Sequence, residues 1–339
     1  MIRSWKQLLA GAVCAIALAL PLCAGAQQKS EISITRQPGI LYLPSLVMEK
    51  QHLIEKEAAK LGVPNLKVNW LQFSGGGAQT DALLSGNVDV VNTGVGNLLL
   101  LWDRTKGGVK GIIANSALPL RLISRDPRIK TIKDFGPNDR IAVPTLKVST
   151  QAILLQMASE KAFGEGEMTK LDSDTVQLGH PDAVVALSNP QHEVKNHFAA
   201  PPYDYYELKN VPGAHVVLTS PEIIGGPLTQ SQFFTTVKFA DANPKIIEAI
   251  KAATFEAIAF IKKDTPAAVA IYKELTHDKM SEEDLLAMLK QPGMMDDWIA
   301  APQGTMKFAA HLYKVGTLKT MPKAWTDYYL PEARDLPGS

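Results

Sequence analysis

The chain has 339 residues, with 35 basic against 34 acidic side chains and two cysteines, Cys14 and Cys23. So even a balance of charge gives no reason to expect a nucleic acid or an anionic membrane surface as partner. An aromatic share of 7% argues against an extended sugar-stacking groove, and the length suggests two domains of roughly 150 residues.

At the N-terminus Arg3 and Lys6 precede an apolar run over residues 8–22, then Ala24-Gly25-Ala26 in the small-x-small form of a signal-peptidase site. Residues 1–26 therefore read as an export signal cleaved near Ala26, with Gln27 opening the mature chain. No later stretch approaches the roughly 20 apolar residues of a membrane span, so the mature chain is expected to be soluble and periplasmic. A lipid anchor on Cys23 is the rival reading, but such signals usually place a small residue before the cysteine and Leu22 stands there. Cleavage removes both cysteines, which excludes disulfides, thiolate metal sites and cysteine nucleophiles.

From residue 31 the pattern is strand, loop, helix: Ile32 and Ile34 alternate, Gln37-Pro38-Gly39 breaks the strand, and an apolar-spaced helix is predicted over 46–60. Residues 68–73 read as a strand that Ser74-Gly75-Gly76-Gly77 turns into a helix. A short strand at 88–92, the loop Thr93-Gly94-Val95-Gly96, a helix to about 105 and a strand at 112–114 follow. A second unit of the same kind starts near Leu122, with strands at 141–143, 175–178, 194–198 and 216–218. Helices are predicted from Ser149 or Thr150 to about 161 and over 181–187. Alternating strands and helices joined by glycine-rich turns predict largely parallel sheets covered on both faces.

After Phe233 the chain turns helical. Asn243-Pro244 and Thr265-Pro266 each place a capping residue before a proline, and residues 281–284 resemble a capping box. Ile246, Ile250, Phe255, Ile258 and Ile261 supply one broad apolar face. A weak internal repeat relates residues 82–93 to 186–199, each reading helix end, turn, strand, small polar loop.

In open α/β sheets ligands bind beyond the carboxyl ends of the strands. The loops there are rich in glycine, serine and threonine, which let backbone N–H groups approach a ligand, while helix N-termini favour an anion or an electron-rich ring. Lys147 is the single cation in these loops and is a candidate partner for an anion. Ser74-Gly75-Gly76-Gly77 lacks the Lys-Ser or Lys-Thr pair of a P-loop, and Gly94-Val95-Gly96 lacks the third glycine of a dinucleotide fingerprint. His180, His192 and His197 lie close in sequence, yet no HExxH pair or GxSxG elbow occurs, so no metal site and no catalytic residue is assigned. His180 and His197 stand at strand ends and could bond a ligand; His192 reads as a solvated turn residue.

The loops, in this order, resemble the nitrate/sulfonate/taurine family of ABC-transporter solute-binding proteins, whose relatives include carriers of thiamine-pyrimidine precursors. The resemblance is carried by Gln37-Pro38-Gly39-Ile40-Leu41-Tyr42-Leu43-Pro44, by Gly75-Gly76-Gly77-Ala78-Gln79, by Ala82-Leu83-Leu84-Ser85-Gly86-Asn87-Val88-Asp89-Val90, by Ile141-Ala142-Val143-Pro144 leading to Ser149-Thr150-Gln151-Ala152, and by Asn243-Pro244. It implies an α/β type II periplasmic-binding-protein fold, with residues 30–120 plus 222–339 as lobe one and 121–221 as lobe two. It further implies a ligand cleft between them, formed by Tyr42, Ser74, Gly76, Gly77, Thr93, Gly94, Ser149 and Thr150, with His180 and Tyr203. The sequence departs from the family in lobe two, where Asn189-Pro190-Gln191-His192-Glu193 replaces a glycine-valine-aspartate-alanine pattern. No arginine stands in the lobe-one loops, which weakens a sulfonate or nitrate assignment.

The expected function is capture of a small organic molecule, anionic or heteroaromatic, by a monomer that delivers it to an ABC permease in the inner membrane, without a cofactor and without catalysis. Two alternatives stay open: an enzyme on the same fold, resembling thiamine-pyrimidine synthases whose cysteine-rich iron motif has no counterpart here, and a ligand-sensing module for a membrane receptor.

Overall fold

A computed structural model describes residues 29–73 and 75–339; the expected export signal and Ser74 lie outside the described residues. The first four strands are β1 (Glu31–Arg36), β2 (Lys67–Gln72), β3 (Val90–Thr93) and β4 (Val109–Ser116). The next five are β5 (Arg121–Ser124), β6 (Ile141–Val143), β7 (Thr175–Gln177), β8 (Asn196–Ala199) and β9 (His215–Thr219), and β10 (Ser231–Thr236) ends the series. They form two five-stranded sheets, ordered β2-β1-β3-β10-β4 and β7-β6-β8-β5-β9.

In each sheet the first three strands are parallel and the fourth runs against its neighbours. That fourth strand is in both cases the one laid down directly after the chain crosses from the other sheet. The weak repeat seen in the sequence falls on β3 and β8, which occupy the same third position in their sheets. Two α/β lobes of one plan therefore face each other. The central strands β3, β6 and β8 are buried along their whole length while β2, at an edge, is partly exposed, as expected of parallel sheets covered on both faces.

Between the strands of the first lobe lie α1 (Leu43–Gln51), α2 (Leu53–Lys60), α3 (Gly76–Leu84) and α4 (Val95–Arg104); in the second lie α5 (Thr150–Phe163), α6 (His180–Ser188), α7 (Tyr203–Asn210) and α8 (Ser220–Ile224). The single helix expected over 46–60 is two helices, broken at His52, whose φ of 52° is left-handed. The break re-aims the chain so that Leu53, Ile54 and Ala58 are buried.

The helical tail comprises α9 (Val237–Ala242), α10 (Pro244–Lys263), α11 (Thr265–Thr276), α12 (Glu282–Leu289) and α13 (Thr305–Lys314). Ile246, Ile250, Ile258 and Ile261 of α10 are buried against the first lobe, but Phe255, assigned to the same face, is 43% exposed, a step beyond the buried Ala253 and Thr254. The cap of α11 is Asp264, which accepts from the Ala267 N–H, so Thr265 is the first helical residue and not the cap. Ser281 accepts from the Asp284 N–H at the start of α12, half of a capping box. The tail touches both lobes: α13 packs on α4 and α5, Lys314 pairs with Glu160 at 2.6 Å, and Asp284 pairs with Lys209 of α7 at 2.5 Å.

Beside β4 the segment after α13 lies so close that Gly111 donates its N–H to the Tyr328 carbonyl and accepts from the Leu330 N–H. Tyr329 is fully buried there, its hydroxyl bonded to Gln232, and a Cβ on Gly111 would stand 2.6 Å from its ring. Overpacking of this kind costs about 1–3 kcal/mol. Gly111→Val is expected to lower the urea midpoint by a corresponding amount with an unchanged m-value; an unchanged midpoint would mean that the tail yields freely.

Candidate functional site

The carboxyl ends of both sheets meet at one cavity of about 70 Å³. From the first lobe come Tyr42, Gly76, Thr93 and Gly94; from the second come Ser149, Thr150, His180 and Tyr203. Gly77 and Lys147 are not part of the wall, and Ser74 is outside the described residues. Lys147 is exposed with a left-handed φ of 63°, in the turn that precedes α5, so the cation expected in the cleft faces solvent instead.

The wall also contains Gln37, Asn97, Gln151 and Gln230; Gln37 and Gln151 stand in motifs that carry the resemblance but were not assigned as ligand contacts, and Gln230 had no signal in the sequence. Gln37 follows β1 directly and its amide donates to the Tyr42 hydroxyl at 2.7 Å and to Thr93 Oγ1 at 3.0 Å. Both oxygens thereby accept from Gln37, and because Thr93 also bonds to the Tyr42 phenol, the phenol's own hydrogen is the one left to point at a guest. Burial holds the Tyr42 phenol well above its ordinary range, so it remains a donor. Gln230, 4% exposed at the second crossing, has an amide nitrogen with no partner; a buried donor left unmet is costly and marks a place for a ligand acceptor.

Helices α3, α4, α5, α6 and α7 all begin at this wall, and of their capping residues Gly75, Gly94, Ser149, Gly179 and Pro202 only Ser149 caps with its side chain. Among the described residues the first-turn N–H groups of α3, α4 and α6 meet no side-chain acceptor, while in α7 Asp204 Oδ1 takes the Tyr205 N–H at 2.8 Å; the summed dipoles make the cavity positive without a formal charge. No lysine, arginine, aspartate or glutamate lines it among the described residues. The glycines are required by closeness across the cleft: a Cβ on Gly94 would stand 2.7 Å from Thr150 Oγ1, and one on Gly96 2.7 Å from the Val148 carbonyl. The lobes are thus closed on one another.

On the second lobe an aromatic wall backs onto a buried polar line. The His180 ring stacks on Tyr203 with centroids 5.3 Å apart and planes 21° from parallel. Its Nε2 meets the Gln151 amide at 3.3 Å, and its Nδ1 meets His197 Nε2 at 2.8 Å. His197 Nδ1 in turn meets Glu207 Oε1 at 2.6 Å, with both side chains fully buried. Burial holds both imidazoles below their ordinary range, His197 down to about 3, and lifts the Glu207 carboxyl well above its own. The three are strung in a row and do not converge: among the described residues no three His, Cys, Asp or Glu side chains are gathered to hold a metal ion.

No family model and no curated protein sequence matches this chain. Its fold is that of periplasmic binding proteins of ABC-type sulfonate and nitrate import. The alkanesulfonate-binding protein SsuA from Xanthomonas axonopodis pv. citri, bound to MOPS, is similar at a TM-score of 0.68 and 15% identity over 88% of this chain and 98% of that one. The periplasmic aliphatic sulphonate-binding protein SsuA from Escherichia coli is similar at 0.65 and 17%, over 89% and 92% of the two chains. The periplasmic nitrate-binding protein NrtA from Synechocystis PCC 6803 is similar at 0.68 and 14%, over 89% and 86%.

Proposed function

We propose that this chain is the solute-binding component of an ABC importer, exported to the periplasm, and that it captures a small acceptor-rich organic anion between its lobes. The observation that carries this reading is a closed cavity at the meeting of two sheets, walled by hydroxyls, amides and helix N-termini, with donors in excess and no formal charge. Such a wall stabilises an oxyanion through oriented dipoles. The sulfonate and nitrate cargoes of the similar proteins are of that chemistry. The stacked His180 and Tyr203 add a flat surface for an aromatic or heteroaromatic body. Lobe one is taken as 30–120 plus 222–339 and lobe two as 121–221, the hinge lying in the two crossings, and the protein is taken to act as a monomer that presents its closed form to an inner-membrane permease.

The test is a thermal-shift screen of the chain from Gln27 against acetate, benzoate, methanesulfonate, taurine, nitrate and pyrimidines. A ligand present at 100 times its Kd stabilises the native state by about 2.7 kcal/mol, so one class is expected to raise Tm by several degrees. No shift from any of these in folded, ligand-free protein would overturn the anion reading.

A further inference from the structure

We propose that Glu207, His197 and His180 form a proton line that makes His180 Nε2 a reversible hydrogen-bond donor on the cavity's ligand, so that an anion is bound together with one proton. The inference rests on the anionic reading above, and the geometry gives it a definite form. Each imidazole uses both nitrogens: Nε2 of His180 at the Gln151 amide, then Nδ1 to Nε2 of His197, then Nδ1 to the Glu207 carboxyl. A row of neutral imidazoles joined this way has two self-consistent arrangements. In one, Glu207 is a carboxylate, both rings carry their proton on Nδ1, and His180 Nε2 offers a lone pair to the Gln151 amide. In the other, both protons are on Nε2, Glu207 is a carboxylic acid, and His180 donates from Nε2.

The second arrangement holds one proton more than the first. A proton arriving at His180 Nε2 displaces the Nδ1 proton onto His197 Nε2, and the Nδ1 proton of His197 passes to Glu207 Oε1. No ring is left charged; the one contact given up is that of the Gln151 amide nitrogen, which loses the lone pair it met on His180 Nε2 and turns aside as the ligand takes its place. An anion placed at the wall meets a lone pair in the first arrangement and a donor in the second, and the second also removes the buried carboxylate charge that would oppose it. The Glu207 environment supports this: its Oε2 has no hydrogen-bond partner and no cation reaches it among the described residues.

The groups facing the line are few. Asp204, on the same helix, pairs with Arg121 at the start of β5 at 3.3 Å, and Arg121 also donates to Gln291 at 2.8 Å, so that guanidinium is committed. Lys209 turns outward to Asp284 of α12. Beyond α11, Asp278 accepts from the Tyr272 hydroxyl at 2.7 Å and stands toward Tyr203, while Asp182 of α6 is exposed.

The experiment is ¹⁵N NMR of the histidine side chains in the full chain from Gln27, ligand-free, between pH 5.5 and 9. Raising the pH is expected to move the protons of His180 and His197 from Nε2 to Nδ1 together, neither ring passing through an imidazolium. Glu207→Gln is expected to abolish the exchange, and Asp204→Asn, as control, to retain it. Tautomers that stay fixed in the wild type, or a ring that becomes doubly protonated, would overturn the proposal. Methanesulfonate and benzoate are then added at the alkaline end. Binding that returns both rings to Nε2–H supports the coupling, and binding that leaves them on Nδ1 refutes it. If neither probe binds, the anion reading stands or falls by the wider thermal screen, while the ligand-free titration still decides whether the line moves its protons.

Discussion

Gly96→Val is expected to weaken ligand binding by about 10- to 100-fold while leaving a cooperatively folded protein. Gly96 is a buried residue in the first turn of α4, and a Cβ there would stand 2.7 Å from the Val148 carbonyl and 2.8 Å from Ile153 Cδ1. Both belong to the other lobe, and the carbonyl is backbone, so the overlap is relieved by parting the lobes and not by a rotamer change. Within its own helix the substitution does no harm, since glycine is a poorer helix former even than β-branched valine. The penalty therefore falls on the closed arrangement alone. At about 1–3 kcal/mol for overpacking, and 1.4 kcal/mol per tenfold, it takes one to two decades from the affinity. Gly94→Ala should act in the same direction but more weakly, because its obstacle is the Thr150 hydroxyl, a side chain that can turn away. Calorimetric titration with the ligand from the thermal screen, together with a urea curve, separates the two effects. Unaltered affinity in Gly96→Val would mean that binding does not require the lobes to meet at α4 and α5.

The same pair of glycines shows what the sequence could and could not disclose. Their position after a short apolar strand, followed by an amphipathic stretch, was enough to predict a strand, a tight loop and a helix start, because those depend on neighbours within a few residues. That the loop must be glycine because another lobe presses on it depends on Val148 and Thr150, far along the chain. Gln230 is the stronger case: it reaches the cavity only after the whole second lobe has been laid down, and nothing local distinguishes it from any surface glutamine. His180 and His197 could be picked out as histidines at strand ends, yet Glu207 could not be joined to them, since its place on α7 beside β8 comes from packing. Lys147 erred the other way, being in the right loop with its side chain on the solvent side.

The buried line also sets a pH signature of stability, read as differences from single variants so that Asp204 and Asp297, both pushed up to about 6 by burial, cancel. Glu207 is raised well above 4.5 by desolvation, so above that pH the native state keeps a proton that the unfolded chain has released. Its contribution is complete below 4.5 and is lost as pH rises, and the wild type should lose about 1.4 kcal/mol per pH unit relative to Glu207→Gln until the native carboxyl ionises. His197 runs the other way. Its imidazole is held neutral down to about 3, against 6.5 when free, so below 6.5 the unfolded chain takes up a proton that the native state refuses. Relative to His197→Gln, the wild type should therefore lose about 2–3 kcal/mol between pH 6.5 and 4.5. Urea unfolding of the three proteins from pH 4.5 to 8.5 measures both slopes. Had Glu207 and His197 been an ion pair, the carboxyl would be lowered and the imidazole raised: the Glu207 slope would vanish above pH 4.5, and the His197 slope would vanish below 6.5 and appear with opposite sign above it. Opposite slopes of the stated sense thus identify a neutral pair that holds its proton in common, which is the condition the line must meet to pass that proton to a ligand.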